Sequence, residues 1–419
     1  MTGMRRFLFL QGCTSPFFAR LGDRLRRGGY GVYRINFNAG DALYWWRRPA
    51  WHYRGRAVEL PAFLAPLFER YGFTDVVTLG DTRPVHAEAL PVARRFGAQV
   101  HVLEEGYFRP NWLTLEEGGI NGNSPLPRDP QWYREAGQLV PEPGEGQPVR
   151  NPLVLLGAHE VAYHAAGALN PILYPGYRTH RPHSSPVELF GWARRFAKMP
   201  WYRRRDGGRI RDLAAGDAPV YLLPLQLDSD SQIWAHSGFE GITELLETVV
   251  ASFARHAPIG ARLAIKNHPL DTGLTDFEAQ VAALRRRLDL GSRLVYLETG
   301  HLPTLLERAA GVVTVNSSVG TSALIHGCPV IALGRAIYDI PGLTFQGPLD
   351  RFWQDAERPD RHLFRAFRRT VIHVSQVNGG FYTRDGMRLA VRHAAARLSR
   401  DRPPLVELLE ATHGRAEVV

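Results

Sequence analysis

The fold is decided by one stretch of the sequence, Arg262-Leu263-Ala264-Ile265-Lys266-Asn267-His268-Pro269-Leu270-Asp271. Residues 263–265 predict a short buried strand, and Pro269 ends it, because proline cannot donate a hydrogen bond within a sheet. The strand therefore delivers Lys266, Asn267 and His268 together at its carboxyl end. In open α/β sheets ligands bind outside the carboxyl ends of the strands, so these three side chains predict a ligand site.

A second strand end farther along the chain repeats this pattern. Residues 311–315 are apolar and β-branched, and Asn316, Ser317 and Ser318 follow at the predicted start of a helix. Backbone N–H groups at a helix N-terminus bind anions together with nearby hydroxyl groups. The two strand ends together predict an anion site in which His268 acts as a general acid or stabilises charge on a leaving group. The structural alternative is that the proline only ends a strand and that Asn316 or Ser317 only caps a helix.

Length and composition limit the class of protein. A chain of 419 residues is longer than one hydrophobic core usually serves, so two domains are expected. Hydrophobic residues make up 44% and charged residues 22%, which argues against extensive disorder. The formal charge of +10 comes almost wholly from arginine, since Lys198 and Lys266 are the only lysines. This charge predicts attraction to nucleotides, phospholipid head groups or polyanions, unless it only solvates the surface.

Several classes of protein are disfavoured by what the sequence lacks. Cys13 and Cys328 are far apart, so they predict neither a disulfide framework nor a metal site, and no Walker loop, dinucleotide fingerprint or zinc spacing occurs. Residues 1–11 are too poor in apolar residues for a signal sequence, and no stretch approaches the roughly 18 apolar residues of a spanning helix. The dispersed basic residues argue against nucleic acid as a partner. We therefore expect a protein without a metal cofactor, cytoplasmic or peripheral at a membrane face.

Strands alternate with amphipathic helices along most of the chain, which is typical of parallel, doubly wound sheets. The prediction is two Rossmann-like domains, the first at residues 1–205 and the second at residues 217–345. A helical tail, residues 346–419, is expected to pack back on them. The least regular part is predicted to contain an irregular connection at 121–151, a strand at 153–156, a helix near 187–197 and a linker at 201–216.

Two adjacent glutamates follow the strand predicted at residues 99–103. Either Glu104 or Glu105 could accept the proton of an acceptor hydroxyl, and Gly106 would let the backbone turn sharply beside a ligand. The structural alternative is that one of the glutamates faces solvent or pairs with Arg109. The position after a strand, rather than the dipeptide itself, favours a functional interpretation.

Another strand end is followed by a polar segment. Its candidate residues are Gln226, Asp228, Asp230, Gln232, His236 and Ser237. A carboxylate on the opposite face of a sugar from the leaving group can act as nucleophile and give net retention. The alternative for Asp228 and Asp230 is an Asx turn, which the run Asp-Ser-Asp-Ser favours. For His236 and Ser237 a substrate contact or a cap is favoured over a catalytic dyad, because no third orienting group is apparent.

A segment rich in aromatic residues and arginine, residues 44–56, suggests contact with lipid. It contains Trp45, Trp46, Trp51 and Tyr53. Such a segment predicts a lipid-surface or acceptor-binding loop, although packing in the core explains some of these side chains.

The motifs together resemble those of bacterial CMP-sugar glycosyltransferases with the GT-B fold. The three motifs, in chain order, are Glu104-Glu105-Gly106, His268-Pro269 and Ser317-Ser318, which are similar to the acidic-acidic-Gly, His-Pro and Ser-Ser motifs of those enzymes. More closely, the chain resembles capsule polysaccharide proteins of the KpsS/LipB type over most of residues 5–345. The segments that carry this closer resemblance are 8–12, 36–41, 103–109, 224–237 and 267–271.

The resemblance implies a retaining β-Kdo transferase with CMP-Kdo as its donor. Its acceptor would be lyso-phosphatidylglycerol or a Kdo-lipid at the inner face of the cytoplasmic membrane, where it starts the oligo-Kdo linker of a capsule. The fold implied is GT-B, with two Rossmann-like domains facing a central cleft and C-terminal helices. Residues 1–205 would be the acceptor domain and residues 217–345 the CMP-sugar domain. No metal is implied, and other capsule assembly proteins are expected as partners.

The resemblance also implies roles for individual residues. His268 and Ser317-Ser318 would hold the CMP phosphate and the Kdo carboxylate. Glu105 falls at the second acidic position of its motif, which leaves the acid/base assignment between Glu104 and Glu105 open. Asp230 matches the nucleophile, whereas Asp228 does not. The residues expected to bind substrate are Lys266, Asn267, Ser317, Ser318, Gln226, Gln232, His236, Ser237 and Gly106.

Two other functions remain compatible with the sequence. One is a different two-domain sugar-nucleotide enzyme, such as an inverting transferase or a UDP-sugar epimerase. The other is a noncatalytic export or assembly factor that binds a polyanionic capsule chain.

Overall fold

The structure is a computed structural model, and it describes residues 4–150, 152–179, 185–227 and 231–416. The chain forms two compact units. The first consists of Met1–Pro127, Glu135–His180 and Phe367–Val419, and the second consists of Arg128–Arg134 and Arg181–Ala366.

Strands and helices alternate through both units. The strands are β1 (Arg6–Phe9), β2 (Gly31–Asn36), β3 (Trp51–His52), β4 (Asp75–Leu79), β5 (Gln99–Glu105), β6 (Trp112–Glu117), β7 (Val220–Pro224), β8 (Arg262–Lys266), β9 (Leu294–Leu297), β10 (Ala309–Thr314), β11 (Val330–Ala332) and β12 (Gln376–Asn378). The α-helices are α1 (Phe17–Arg27), α2 (Ala39–Tyr44), α3 (Leu60–Tyr71), α4 (Pro84–Arg95), α5 (Pro130–Leu139), α6 (Leu153–Gly167), α7 (Asn170–Leu173), α8 (Ser185–Ala215), α9 (Ser231–His236), α10 (Ile242–His256), α11 (Phe277–Arg287), α12 (Leu302–Leu306), α13 (Ser318–Ile325), α14 (Leu349–Asp355), α15 (Arg361–Ser375), α16 (Arg384–Leu398) and α17 (Pro404–Ala416).

The first unit contains a seven-stranded sheet in the order β12-β6-β5-β4-β1-β2-β3. The strands from β5 to β3 are parallel, whereas β6 and β12 run antiparallel to their neighbours. The chain order reverses between β1 and β4, so their carboxyl ends form a topological switch point. Apolar residues of α1 and α16 pack on one face and those of α3 and α4 on the other, which makes the unit doubly wound.

The second unit contains a five-stranded parallel sheet in the order β11-β10-β7-β8-β9. Residues of β7 and the middle of β8 are buried without alternation, which is typical of a parallel strand covered on both faces. Helices α10, α11 and α14 share its core. The α/β class with two Rossmann-like, doubly wound units is therefore confirmed, and such units are the ones from which GT-B proteins are built.

The least regular part of the sequence differs from its prediction. Residues 153–156, predicted as a strand, begin helix α6, because a short apolar run does not distinguish a buried strand from a buried helix. The connection predicted at 121–151 contains α5. The linker predicted at 201–216 is the second half of α8. It is held to the second unit by the buried carboxylate of Asp206, which accepts hydrogen bonds from the backbone N–H of Thr299 at 2.8 Å and from Arg205 at 2.8 Å.

The boundaries of the two units also differ from the domain boundaries predicted at residues 205, 217 and 345. Helix α8 lies in the second unit, and residues 367–419 lie in the first. The reason for the second difference is β12, which pairs with β6 so that Gln376 lies opposite Thr114. Helix α16 then shares a hydrophobic core with α1.

A buried carboxylate, Asp75 at the start of β4, predicts how the first unit responds to acid. Burial opposes its ionisation, but hydrogen bonds from His101 (2.7 Å) and Arg5 (3.0 Å) outweigh this and hold the pKa of Asp75 at about 2. A depressed pKa contributes stability above the unfolded-state value of 3.8, and that stability is lost as pH falls toward 2. We expect the Tm difference between the wild type and Asp75→Asn to narrow between pH 6 and pH 3, equivalent to about 1 kcal/mol. A difference that stays constant across this range would contradict the role of Asp75.

Candidate functional site

Polar side chains gather at the carboxyl ends of the strands in the second unit. Strand β8 is followed by Asn267, which is buried and joined to the end of β9. The Asn267 backbone N–H donates to the Leu297 carbonyl at 2.8 Å, and its side-chain amide donates to both carboxylate oxygens of Glu298 at 3.2 Å. Its side-chain oxygen accepts from the backbone N–H of His268 at 2.8 Å. Asn267 thus positions His268, while its predicted contact with a substrate stays a prediction.

The imidazole of His268 is oriented by the loop that follows it. Its Nδ1 accepts a hydrogen bond from the backbone N–H of Leu270 at 3.1 Å. Because Nδ1 is the acceptor, the neutral ring carries its proton on Nε2. His268 is partly exposed, so solvent reaches this residue at the edge of the sheet. A proton on Nε2 is what a donor to a departing phosphate oxygen requires.

An arginine that the sequence analysis missed supports this loop from α8. Arg195 is buried, and its guanidinium donates to the backbone carbonyls of Pro269 at 3.0 Å and His268 at 3.1 Å. It also donates to the carbonyl of Asp271 and pairs with the Glu298 carboxylate at 2.7 Å. The planar guanidinium suits several acceptors at once. The sequence analysis predicted a helix through residue 195 but assigned it to the first domain, whereas α8 belongs to the second unit, where Arg195 contacts the loop.

Lys266 is oriented toward the interior of the second unit. Its side chain is buried, and Nζ donates to the Asn267 carbonyl at 3.2 Å. Burial, followed by the nearby charge of Arg195, lowers the pKa of Lys266. The contact that Lys266 makes is thus with the backbone of its own loop, and its predicted role in binding substrate stays a prediction.

The topological switch point of the second unit lies between β7 and β10. Gln226 follows β7, and its side-chain amide donates to the side-chain oxygen of Asn316 at 3.1 Å. The Asn316 backbone N–H donates back to Gln226 Oε1 at 3.3 Å. Strands β8 and β10 both adjoin β7, so the ends that carry His268 and Ser317 are roughly 10 Å apart. The structure thus brings the two motifs to one edge of one sheet, as predicted.

Ser317 caps helix α13. Its hydroxyl accepts a hydrogen bond from the backbone N–H of Val319 at 3.2 Å. Ser317 therefore acts as an N-cap, which was the alternative to a role in binding an anion. The Ser317 carbonyl accepts from the Tyr338 hydroxyl at 2.7 Å, and the Ser318 carbonyl accepts from the Thr321 hydroxyl at 2.7 Å. Capping does not bear on whether Ser317 and Ser318 bind a phosphate, and that role stays a prediction.

Gly320, in the first turn of α13, predicts a measurable steric effect. A Cβ atom at residue 320 would lie 2.3 Å from the ring and the hydroxyl of Tyr338, so either the ring or the helix must move. We expect Gly320→Ala to destabilise the protein by about 1–3 kcal/mol, the usual range for overpacking. The measurement is the thermal midpoint of the variant.

The matched control for this substitution is Gly157→Ala in helix α6. A Cβ atom at residue 157 would have open space around it, with no contact within 4 Å in the described part of the chain. This variant should therefore melt no lower than the wild type. Equal midpoints for Gly320→Ala and Gly157→Ala would argue against the contact with Tyr338.

An open cavity of about 500 Å³ adjoins the ends of α9 and β11. His236, Ser237, Arg335 and Asp339 line it. Arg335 donates through a side-chain nitrogen to Nδ1 of His236 at 3.2 Å, and its backbone N–H donates to the His236 carbonyl at 2.7 Å. The Ser237 hydroxyl donates to the Ile233 carbonyl at 2.5 Å, and its predicted contact with a substrate stays a prediction. Arg335 was missed, although it follows β11 in the way that the other candidates follow their strands.

Two predicted residues of the polar segment, Asp228 and the predicted nucleophile Asp230, lie outside the described residues. Gln232 lies in α9. The assignment of Asp230 as nucleophile therefore rests on the resemblance alone.

Glu104, Glu105 and Gly106 belong to the first unit, at the end of β5. The strand includes both glutamates, so their side chains point to opposite faces of the sheet. Glu104 Oε1 accepts from the backbone N–H of Glu105 at 3.1 Å. The charge of Glu105 lies near Cys13, whose pKa is raised to about 11 chiefly by burial. Gly106 is needed for close packing, because a Cβ there would lie 2.1 Å from the carbonyl oxygen of Trp112.

A buried polar cluster occupies the ends of β1 and β2 in the first unit. Arg34 and Asp41 form an ion pair at 3.2 Å, and both are buried. The hydroxyl of Tyr163, from α6, accepts hydrogen bonds from Asn38 at 2.7 Å and from Gln11 at 3.3 Å. The sequence indicated a polar loop at residues 36–41, but Tyr163 was missed because its helix was predicted to begin as a strand.

Part of the aromatic segment at residues 44–56 packs in the core. Trp45 and Tyr53 are buried, and Trp51 stacks on Tyr33 with ring centroids 5.9 Å apart. Trp46 is exposed. Core packing, which was the alternative, accounts for Trp45, Trp51 and Tyr53, and the role of the segment in binding lipid or acceptor stays a prediction.

The described part of the chain contains neither a cluster of metal ligands nor a membrane-spanning helix. No group of three or more His, Cys, Asp or Glu side chains there is arranged to hold a metal ion. None of the helices described is both long enough and apolar enough to cross a membrane.

Two doubly wound units, the second with an imidazole, amides and hydroxyls at one edge of its sheet, define an α/β protein built of two Rossmann-like units. A family model described as "Capsule polysaccharide biosynthesis protein" matches residues 74–382. The chain belongs to this family of capsule polysaccharide biosynthesis proteins, which confirms the predicted resemblance.

Individual relatives agree with this assignment. The chain is 36% identical over 379 residues to the capsule polysaccharide export protein KpsS of Escherichia coli, covering 90% of this chain and 97% of that one. It is 36% identical over 385 residues to the capsule polysaccharide modification protein LipB of Neisseria meningitidis serogroup B, covering 90% and 91%. A solved structure of Thermosulfurimonas dismutans KpsC, a β-Kdo 2,7 transferase, aligns with a TM-score of 0.45 at 16% identity, covering 94% of this chain and 98% of that one.

Proposed function

We propose that the protein is a retaining glycosyltransferase that moves Kdo from CMP-Kdo to lyso-phosphatidylglycerol or a Kdo-lipid acceptor during capsule linker synthesis. The observation that carries this proposal is the arrangement around His268. A partly exposed imidazole with its neutral proton on Nε2 lies at the carboxyl edge of the sheet, in a loop fixed by Arg195 and Asn267. Membership in the capsule polysaccharide family supports a capsule-related substrate.

In this mechanism the second unit binds the donor. His268 donates a hydrogen bond or a proton to the phosphate oxygen of CMP as the glycosidic bond breaks. The N-terminus of α13, with Ser317 and Ser318, offers N–H and hydroxyl groups to the same phosphate. Arg335 supplies a positive charge suited to the Kdo carboxylate.

The reaction also requires two carboxylates. Asp230 attacks the anomeric carbon as CMP departs and forms a covalent glycosyl-enzyme. The acceptor hydroxyl then displaces Asp230, which gives net retention. Either Glu105 or Glu104 takes the proton of that hydroxyl. No metal takes part in this scheme, and the protein works as a peripheral protein at the inner face of the cytoplasmic membrane.

Incubation with CMP-Kdo and lyso-phosphatidylglycerol tests the proposal. We expect release of CMP together with a lipid product whose mass has increased by one Kdo residue, and no product from Asp230→Ala. Full activity of Asp230→Ala would remove the nucleophile assignment. Absence of both CMP and lipid product from the wild type would contradict the transferase itself.

A noncatalytic function is the second candidate, and the name of the E. coli relative, an export protein, favours it. In that case the same edge of the sheet binds an anionic capsule chain. Binding of capsule polysaccharide without any turnover of CMP-Kdo would support this alternative. Thermal protection by UDP rather than CMP would instead support another sugar-nucleotide enzyme.

A further inference from the structure

The exposed part of α8 combines aromatic and basic side chains. Its large exposed apolar residues are Val187 (44% exposed), Phe190 (68%), Phe196 (53%) and Trp201 (57%). Its exposed basic residues over the same stretch are Arg194, Lys198, Arg203 and Arg204. These eight residues are called the α8 surface below. They extend over roughly 26 Å of helix, from residue 187 to residue 204.

The α8 surface has one sign of charge. Its four basic residues are exposed, although Arg194 also donates to the carbonyl of Gly273. The nearest acids of the same helix, Glu188 and Asp206, are buried. Asp206 is engaged by Arg205, whose guanidinium also lies 4.6 Å from the centre of the Trp201 ring. An exposed group of aromatic side chains interspersed with cations is unusual for a surface that contacts only water.

This composition matches the surface of an anionic membrane. Aromatic and other apolar side chains enter the boundary between head groups and acyl chains, while lysine and arginine contact the head groups. Each cation near such a surface strengthens the attraction to anionic head groups. A symmetric contact with a second copy of the chain fits less well, because it would place the four positive charges against their own equivalents.

We propose that the α8 surface docks the protein on a membrane rich in anionic phospholipid. This inference deepens the proposed function and rests on it, because a lysophospholipid acceptor resides in such a membrane. The opposite side of the same helix carries Arg195, which binds the carbonyls of the loop around His268. The helix that contacts lipid therefore also positions the loop of the donor site.

Co-sedimentation with lipid vesicles tests the proposal. We expect the full-length protein to pellet with vesicles of phosphatidylcholine and phosphatidylglycerol in equal parts, and much less with phosphatidylcholine alone. The double variants Phe190→Ser/Trp201→Ser and Arg203→Glu/Arg204→Glu should each weaken binding at least about tenfold, since two cations or two aromatic anchors are removed. Added salt should weaken the wild type, because the cationic part of the interaction is screened.

Matched controls come from elsewhere in the second unit. Ile259→Ser removes a side chain that is 92% exposed, and Arg285→Glu/Arg286→Glu reverses two exposed charges on α11. Both controls should bind vesicles like the wild type. The thermal midpoints of the two α8 double variants should also match the wild type, which shows that any loss of binding is not unfolding.

Three results would overturn the proposal. The first is that both α8 double variants bind vesicles like the wild type. The second is that the wild type binds equally well to vesicles without phosphatidylglycerol. The third is that the oligomeric state changes in the α8 variants, which would assign the surface to a second copy of the chain. The outcome is separable from the proposed function. Vesicle binding through the α8 surface by a protein that transfers no Kdo would leave the docking in place and remove the transferase.

Discussion

His268→Ala is expected to reduce Kdo transfer by about 10²- to 10⁴-fold, the usual contribution of a positioned general acid. The alanine removes the Nε2–H donor but not the hydrogen bonds of Asn267 and Arg195 that shape the loop. The folded protein should therefore persist, and the loss should appear in the rate of CMP release at saturating CMP-Kdo.

A second substitution separates chemistry from shape. His268→Asn retains a side-chain acceptor for the Leu270 N–H, which Nδ1 provides in the wild type. It provides no group that exchanges a proton near neutral pH, so we expect it to be about as inactive as His268→Ala. His326→Ala, an exposed histidine after α13 in the same unit, is the matched control and should remain fully active. Wild-type activity in His268→Asn would show that the imidazole only shapes the loop.

Arg195→Ala is expected to produce the largest loss of stability. The substitution leaves the buried Glu298 carboxylate without its guanidinium partner and removes the donor to three backbone carbonyls. Breaking a buried ion pair by removing one partner costs about 3–5 kcal/mol. The measurement is the thermal midpoint of unfolding. The relevant transition is the one whose midpoint rises when CMP is added, since the affected loop belongs to the donor site.

Two further variants identify the cause of that loss. Arg195→Ala/Glu298→Gln removes the uncompensated charge but keeps an acceptor for Asn267 and Tyr296, so it should recover part of the stability. Arg194→Ala removes the adjacent exposed arginine and should change the midpoint little. If Arg195→Ala and Arg194→Ala melt at the same temperature as the wild type, Arg195 does not support the loop.

The strands that form the candidate site could be predicted closely from the sequence. Strand β8 was predicted from its apolar centre, residues 263–265, and β10 from residues 311–315, because continuous apolar runs are typical of buried parallel strands. The convergence of His268 and Ser317 on one edge follows from the alternation of strands and helices, because the carboxyl ends of parallel strands lie at the same edge of a sheet.

The support for the site could not be predicted in the same way. Arg195 and Glu298 are distant in sequence, and the helix that contains Arg195 was assigned to the wrong domain. That helix continues, as α8, through residues that resemble a linker, with Pro200, Gly207 and Gly208. Helix propensity disfavours such residues, and contacts of the helix with the second unit override it. The proton position of His268 likewise depends on one backbone N–H, which no residue pattern encodes.

The most direct test of the central claim, that His268 receives the phosphate of the departing nucleotide, is a crystal structure of the protein with CMP. We expect a phosphate oxygen within hydrogen-bonding distance of His268 Nε2, with Ser317 or Ser318 at the start of α13 contacting the same phosphate. CMP bound away from the carboxyl ends of β8 and β10, or bound there with its phosphate turned from His268, would contradict the account.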